Sequence, residues 1–202
     1  IWLESLGAKV CGVSLEATEQ DSLFNSASIN KICKSHICDI RELEKLKNII
    51  IEFNPHIIFH LAAQPLVREG YKDPVNTYST NLMGTVNVIE IARNLPSLKS
   101  LVVITTDKVY KNKEWKFPYR ENDELGGYDP YSSSKAAAEL AVSSFRDSFF
   151  KAKSLSITTA RAGNVIGGGD WSEDRLIPDA IRAWRSNEKL TIRHPSFIRP
   201  WQ

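Results

Sequence analysis

Short apolar runs alternate with segments of helical periodicity along most of the chain. Uninterrupted runs such as HIIFHLAA and SLVVITT are typical of strands that are buried on both faces of a sheet. A polar stretch, 16–34, predicts a loop. The predicted strands lie at 8–15, 56–63, 100–106, 189–194, and from 155 into a glycine-rich loop that ends at 169.

Helical spacing of apolar residues fills the segments between these strands. Two helices open on Asp-Pro pairs, Asp73-Pro74 and Asp129-Pro130, because Asp caps a helix and Pro fits its first position. Asn54-Pro55 ends an earlier helix. The alternation of strand and helix predicts an α/β fold with a parallel sheet and right-handed crossovers. The predicted helices span 41–53, 74–94, 130–150 and 176–186.

The composition excludes several classes of protein. Of the 202 residues, 42% are hydrophobic and 25% are charged, with a formal net charge of +2, and no dense basic run points to nucleic acid. No apolar run approaches the length of a membrane span, so no membrane partner is expected. The three cysteines lack the paired spacing of a zinc site and are odd in number, which predicts a reducing, cytoplasmic location and no metal.

Polar residues follow several of the predicted strands, and ligands of parallel sheets bind at the carboxyl ends of the strands. The segment Thr105–Lys108 brings hydroxyl, carboxylate and ammonium groups together, which suits acid–base chemistry. Such residues also occur in plain strand-to-helix loops, so position alone leaves both interpretations open. His60 is interpreted as a core histidine bonded to backbone. The strand-end positions are Ser14, Ala62–Gln64, Thr105–Lys108 and Arg161–Asn164.

Tyr131 and Lys135 lie four residues apart at the start of a predicted helix. They therefore share one face of the helix, a turn apart. An ammonium beside a phenol favours the phenolate, which can act as a base. The alternative is an exposed tyrosine–lysine pair on a helix surface.

Several stretches together resemble the sugar-nucleotide 4,6-dehydratases of the extended short-chain dehydrogenase/reductase family. HLAAQ resembles the cofactor loop of this family, TTDK its active-site strand end and YSSSK its YxxxK pair. The longer stretch GGGDWSEDRLIPD adds to the resemblance, which is greatest to members that act on CDP-glucose. Members that act on dTDP-glucose carry Glu where this chain has Lys108.

The resemblance implies a Rossmann-like doubly wound parallel sheet in three αβα layers. It assigns residues 1–165 to an NAD(P)-binding domain without its first strand and glycine-rich turn, and residues 166–202 to part of a substrate-binding lobe. The chain starts without Met and with a pattern typical of a helix end. We therefore expect it to be an internal portion of a longer protein.

The reaction that the resemblance implies converts CDP-glucose into CDP-4-keto-6-deoxyglucose with NAD as the cofactor. Tyr131 would be the base for the C4 hydroxyl, and Lys135 would tune it and bind the nicotinamide ribose. Asp107 would protonate the leaving C6 oxygen, and Thr106 would bond to the C4 oxygen. Lys108 would take the C5 proton or stabilise the enolate; its alternative is a solvated loop lysine.

Cofactor contacts are also implied by the resemblance. The small side chains of Ala62 and Ala63 suit contact through the backbone. Asp39 has a second interpretation, since Asp39 and Glu42 also form a capping box, and both roles are compatible. NAD rather than NADP rests on the resemblance, because Ser14 replaces the acid that usually binds the ribose. The implied contacts are at Asp39, Ile40, Leu61, Ala62, Ala63, Gln64, Asn81, Thr105, Tyr131, Lys135 and Ala160.

Substrate contacts follow in the same way, at Asn164, Arg175, Leu176 and Arg199. Arginine suits a diphosphate because its fork binds two oxygens, although either arginine could be a plain surface charge. The resemblance also implies a homodimer or higher homo-oligomer formed through helices 75–94 and 130–150, and a role in deoxysugar synthesis for lipopolysaccharide O-antigen.

Two other functions stay open at this point. A different nucleotide-sugar dehydratase or a 4-epimerase of the superfamily would keep the YxxxK pair, but an epimerase has no need of Asp107 and Lys108. A sensor that binds dinucleotide without turnover predicts the loss of Tyr131 or Lys135, and both are present.

Overall fold

The computed structural model describes residues 1–151 and 155–202, which form a Rossmann-like arrangement of parallel strands and flanking helices. The predicted α/β class is confirmed. The strands of the described residues are β1 (Cys11–Ser14), β2 (Lys34–Ile37), β3 (Ile57–His60), β4 (Ser100–Thr106) and β5 (Ser156–Ala162). The α-helices are α1 (Trp2–Ser5), α2 (Leu23–Ser26), α3 (Ile29–Ile32), α4 (Leu43–Phe53), α5 (Val67–Lys72), α6 (Pro74–Tyr78), α7 (Gly84–Arg93), α8 (Pro130–Phe145) and α9 (Leu176–Arg185).

The chain divides into two compact units. The smaller unit comprises Ile1–Ile37 and Gly163–Gln202, and the larger unit is the continuous segment Cys38–Ala162. The domain boundary predicted between residues 165 and 166 divides the chain by function, and it stays a prediction. No helix among the described residues is long and apolar enough to cross a lipid bilayer.

The larger unit is built on a parallel sheet of order β3–β4–β5. The central strand β4 buries Leu101 and Val103 completely, and these pack in a core with Ile89 of α7 and Val142 of α8. The edge strand β3 differs from its prediction, because Ile57 and Phe59 are half-exposed.

Helix starts in the larger unit follow the predicted caps. The carboxylates of Asp73 and Asp129 accept hydrogen bonds from the backbone N–H groups of Asn76 and Ser132, both at 2.9 Å. The helix predicted over 74–94 consists of α6, a π-helical turn at Ser79–Met83, and α7. A π turn carries one extra residue per turn and is frequent at functional sites.

The smaller unit contains the two-stranded parallel sheet of β1 and β2, with Cys11 opposite Lys34 and Ser14 opposite Ile37. The predicted loop at 16–34 is wrong in part, because it contains α2 and α3 and ends at β2. The strand predicted at 189–194 does not form, and these residues are exposed.

The glycine-rich loop of the smaller unit requires glycine at one position. Gly169 has a φ of +79°, and a Cβ atom there would lie 2.3 Å from the backbone N of Leu23. Both the backbone conformation and the close approach exclude a side chain.

Candidate active site

The carboxyl end of β4 turns directly into a 3₁₀ helix at Asp107–Val109, which fixes the Thr-Asp-Lys triplet. Thr106 caps this turn: its Oγ1 accepts a hydrogen bond from the backbone N of Lys108 at 3.3 Å and donates to Asp107 Oδ1 at 3.1 Å. Val109 is fully buried and anchors the turn, whereas Asp107 and Lys108 are half-buried. The triplet can therefore meet a ligand while its backbone stays fixed.

The first two turns of α8 carry Tyr131 and Lys135, as predicted. Tyr131 is half-buried, and Lys135 is 4% exposed. Lys135 Nζ donates a hydrogen bond to the backbone carbonyl oxygen of Ile104 at 2.9 Å. This bond joins α8 to β4 two residues before Thr106, so the YSSSK segment and the TTDK segment are held in one part of the larger unit.

Burial lowers the pKa of Lys135 to about 8, although the carboxylate of Glu139 acts in the opposite direction. At neutral pH the side chain is therefore still mostly an ammonium. A positive charge next to Tyr131 on the same helix face favours a phenolate over a phenol.

A buried amide cluster holds the loop after β3. Asn81, in the π turn, accepts a hydrogen bond from Gln64 N at 2.8 Å and donates to Gln64 O at 3.1 Å and to Ser134 Oγ at 2.9 Å. The Gln64 side chain donates to Thr77 Oγ1 and accepts from Leu66 N. The side chains of Asn81 and Gln64 therefore bond within the protein and fix the loop beside α8.

His60 is buried, as predicted, but its expected backbone partner is wrong. Its Nε2 lies 2.9 Å from Thr85 Oγ1, and that hydroxyl donates to the carbonyl oxygen of Asn81 at 2.7 Å. Since the hydroxyl has one proton, the imidazole Nε2 must be the donor. Burial and the charge of Lys135 lower the pKa of His60 to about 4, so the ring is neutral.

An ion pair that was not predicted from the sequence joins Glu139 of α8 to Arg161, near the carboxyl end of β5. Glu139 Oε1 accepts from Thr105 Oγ1 at 2.6 Å and from Arg161 Nε at 3.0 Å, while Oε2 accepts from Arg161 Nη2 at 3.0 Å and from Thr159 Oγ1 at 2.9 Å. Burial would raise the pKa of Glu139, but these hydrogen bonds outweigh it and lower the pKa. The available signal was a lone carboxylate four residues after Lys135 in an alanine-rich helix.

The remaining positions predicted for the cofactor differ in accessibility. Asp39 binds Arg41 through its backbone N and its guanidinium, and the hydrogen bond from that side chain lowers the pKa of Asp39. The capping box is half-formed, since Glu42 Oε1 accepts from Asp39 N at 3.3 Å while the Asp39 carboxylate bonds to Arg41. Ile40 is buried, whereas Leu61 and Ala160 are exposed.

The positions predicted for the substrate all lie in the smaller unit. Asn164 pairs through its backbone with Pro200 and Gln202, in the segment that directly follows Arg199. Arg175 is the N-cap residue of α9, and its buried Nε has no hydrogen-bond partner among the described residues. Leu176 follows it and is half-exposed. Within the described residues, no group of three His, Cys, Asp or Glu side chains is placed to hold a metal ion.

Comparison with known sequences identifies relatives along the whole chain. Residues 3–196 match the family model of GDP-mannose 4,6 dehydratase. The chain is 52% identical over 207 residues to CDP-glucose 4,6-dehydratase of Salmonella typhimurium, covering 100% of this chain and 58% of that protein. It is 31% identical over 164 residues to dTDP-D-glucose 4,6-dehydratase of Dictyostelium discoideum, covering 76% of this chain and 36% of that protein. The chain thus spans little more than half the length of the first relative.

Solved structures show the same fold. UDP-glucuronic acid 4-epimerase from Bacillus cereus, in complex with UDP-glucuronic acid and NAD, has a TM-score of 0.81 at 22% identity, covering 99% of this chain and 62% of that one. dTDP-glucose 4,6-dehydratase from Bacillus anthracis, in complex with NAD, has a TM-score of 0.74 at 21% identity, covering 96% and 67%. At these identities the match establishes the Rossmann-like fold.

Proposed function

The chain belongs to the GDP-mannose 4,6 dehydratase family, and we propose that its protein converts CDP-glucose into CDP-4-keto-6-deoxyglucose with loss of water. The observation that carries the proposal is the hydrogen bond of 2.9 Å from Lys135 Nζ to the carbonyl of Ile104. It holds the Tyr131–Lys135 pair of α8 beside the strand end that bears Thr106, Asp107 and Lys108. The 52% identity to a CDP-glucose 4,6-dehydratase supports the choice of nucleotide.

NAD is the proposed cofactor, and the donor set of the larger unit fits a dinucleotide. The small side chains of Ala62 and Ala63 leave the backbone of the loop after β3 approachable, and the Asn81–Gln64 bonds hold that loop in place. Tyr131 and Lys135 offer a hydroxyl and an ammonium for ribose oxygens. The chemistry that NAD supplies when bound is removal of hydride from sugar C4 and its return to C6.

Side chains of this protein carry out the proton transfers of the proposed mechanism. Tyr131 takes the proton of the C4 hydroxyl, with the Lys135 ammonium stabilising the phenolate. Thr106 donates to Asp107 Oδ1, and a substrate oxygen at C4 would compete for the same hydroxyl proton. Asp107 must be protonated when the substrate is bound; it then delivers this proton to the C6 oxygen, which departs as water. Lys108 either removes the C5 proton or stabilises the negative charge that its removal leaves.

Substrate binding is assigned to Asn164, Arg175, Leu176 and Arg199. The buried Nε of Arg175, which lacks a hydrogen-bond partner among the described residues, supports a role in holding an anionic ligand. A guanidinium can bind two oxygens of a diphosphate at once. Leu176 offers an apolar contact beside it.

The protein is further proposed to be a cytoplasmic homodimer that serves O-antigen deoxysugar synthesis. The odd number of cysteines, three, argues against a disulfide framework and supports a reducing compartment. The helices proposed for the dimer expose Met83, Leu140 and Phe149. The rings of Phe145 and Phe149 pack 5.2 Å apart, and the Arg93 guanidinium lies 4.9 Å from the Phe149 ring centre.

The test supplies CDP-glucose, dTDP-glucose and UDP-glucose in parallel to the full-length protein with NAD. We expect a 4-keto-6-deoxy product from CDP-glucose, detected by mass loss of water and by the ketone absorbance in alkali. Turnover of dTDP-glucose alone would overturn the assignment of the nucleotide. Inversion at C4 without loss of water would identify an epimerase, and binding of NAD without any turnover would identify a sensor.

A further inference from the structure

Glu139 is a buried ionised group that the proposed mechanism does not use. It lies on α8 with 6% of its surface exposed, and its two carboxylate oxygens accept the four hydrogen bonds from Thr105, Thr159 and Arg161. A buried charge is retained only when its partners compensate for lost hydration. These contacts meet that condition.

The partners of Glu139 come from the ends of two strands. Thr105 is on β4 and Arg161 lies directly opposite it on β5, so a single side chain of α8 bonds to one rung of the sheet. Thr105 immediately precedes the Thr106–Lys108 triplet. A movement of Glu139 would therefore be transmitted through one peptide unit to the residues proposed for acid–base chemistry.

Glu139 also lies one helical turn after Lys135, on the same face of α8. Lys135 bonds to the carbonyl of Ile104, and Glu139 bonds to the hydroxyl of the next residue, Thr105. The helix is thus attached to β4 at two consecutive residues by side chains of opposite charge.

The charges around this pair come from three elements. Glu139 of α8 acts on Lys135, Lys135 acts on His60 of β3, and Arg161 of β5 acts on Glu139. Arg161 is held in turn by the carbonyl of Glu121, at 3.0 Å from Nη1, and by the ring of Tyr110, 4.8 Å from its centre. His60 is neutral, so Glu139 supplies the negative charge that Lys135 meets on its own helix.

We propose that Glu139 is a positioning residue, which holds the carboxyl ends of β4 and β5 against α8 and keeps the Lys135 ammonium in its protonated form. Its effect on turnover rests on the proposed function, but its effect on Lys135 does not. A purely structural clamp would alter stability and leave the protonation of Lys135 unchanged.

The test replaces Glu139 with Gln in the full-length protein, which keeps the size of the side chain and removes its charge. The titration of Lys135 is followed by NMR of protein labelled with ¹³C at lysine Cε, with the signal assigned by Lys135→Arg. We expect the pKa of Lys135, about 8 in the parent protein, to fall by about one unit. The alkaline loss of dehydratase activity should move to lower pH by the same amount.

Glu90→Gln is the matched control, because Glu90 also binds an arginine through both oxygens, with Arg93 at 2.8 and 2.6 Å, but on the half-exposed surface of α7. It should leave the Lys135 titration unchanged. If Glu139→Gln does not fold, the double variant Glu139→Gln/Arg161→Met, which leaves no unpaired guanidinium, is titrated. A downward shift is again expected, but a smaller one, because the positive charge of Arg161 is removed together with the negative charge of Glu139.

An unchanged Lys135 titration in the folded variant overturns the proposal even if activity or stability is lost. A shifted titration in a protein that never dehydrates CDP-glucose supports the role of Glu139 and counts against the proposed function instead. The two failures are therefore distinguishable.

Discussion

Two neighbouring layers of polar side chains lie at the end of β4. They differ in how completely hydrogen bonds within the protein replace the hydration of their charged groups. In the inner layer, Glu139 is buried and accepts hydrogen bonds from Thr105, Thr159 and Arg161. In the outer layer, one residue further along the strand, Asp107 and Lys108 are half-buried, and Asp107 accepts a hydrogen bond from Thr106. Both layers contain a carboxylate and a cation, but only the inner carboxylate is buried, with 5% of its side chain exposed.

This difference indicates which layer can fix the geometry of the site and which can react with a substrate. A carboxylate with all its lone pairs engaged cannot exchange partners with a substrate without leaving buried charges unpaired. A half-exposed carboxylate and lysine can do so at small cost. The inner layer is suited to fix geometry, and the outer layer is suited to transfer protons. Four substitutions test this difference.

Tyr131→Phe should have the largest effect on the outer layer. Removal of the phenolic oxygen should lower turnover of CDP-glucose by about a thousandfold, the scale of general acid–base catalysis, with NAD affinity nearly unchanged. Turnover is measured by product formation and NAD affinity by titration calorimetry. Tyr128→Phe is the control, because Tyr128 lies three residues earlier and is 82% exposed. Unchanged turnover in Tyr131→Phe would refute its role as the base.

Arg161→Met should have the largest effect on the inner layer. It leaves Glu139 as a buried charge without its arginine, and loss of one partner of a buried pair costs about 3–5 kcal/mol in the free energy of unfolding. Chemical denaturation at pH 7 measures this loss.

Acid conditions should reduce the penalty of Arg161→Met, because protonation removes the uncompensated charge of Glu139. In the parent protein the pKa of Glu139 is lowered, so the stability it contributes is present above its ordinary value of 4.5 and is lost as the pH falls below it. Arg93→Met, at the half-exposed pair with Glu90, should lose far less. Equal losses in both variants would contradict the distinction between the layers.

The free energy of unfolding also depends on pH through His60, which is buried as a neutral ring. Its pKa falls from 6.5 to about 4 on folding, so the unfolded chain takes up this proton first as the pH decreases. The stabilisation is complete above pH 6.5, and on the order of 3 kcal/mol is lost by pH 4. His60→Gln should flatten the stability curve over this range, whereas the same change at the exposed His56 should not. Parallel curves for both variants would count against a buried, neutral His60.

Lys108→Ala should have the smallest effect of the four. We expect exchange of the sugar C5 proton with solvent deuterium to slow by about a hundredfold, with oxidation at C4 little changed. Mass spectrometry of recovered sugar measures the exchange, and absorbance of the reduced cofactor measures the oxidation. Lys111→Ala, three residues on and paired with Glu124 at the surface, is the control. Equal slowing of both steps would indicate a structural lysine.

Most elements of the larger unit could be predicted, because their signals are local. The caps at Asp73 and Asp129, the turn at Asn54 and the buried run of β4 each depend on residues within one or two turns. The outer layer could be predicted for the same reason, since TTDK and YSSSK are short contiguous segments. The short helices within 16–34 and strand β2 were missed, because four-residue elements carry almost no periodicity.

The inner layer could not be predicted, because its members lie far apart in the chain. Taken alone, each has an ordinary interpretation: Thr105 as a strand residue, Glu139 as a charge on a helix and Arg161 as a charge at a strand end. Only the packing of α8 on β4 and β5 brings the three side chains together.

Contiguous residues encode the alternation of strands and helices, the family and the polar segments at the strand ends, so these could be inferred without coordinates. The packing of the helices on the sheet sets which polar side chains are buried: Glu139 in its pair with Arg161, Lys135 against the carbonyl of Ile104, and the neutral His60 against Thr85. The physical reason is that burial and hydrogen-bond partnership depend on neighbours in space, which the order of residues along one element does not specify.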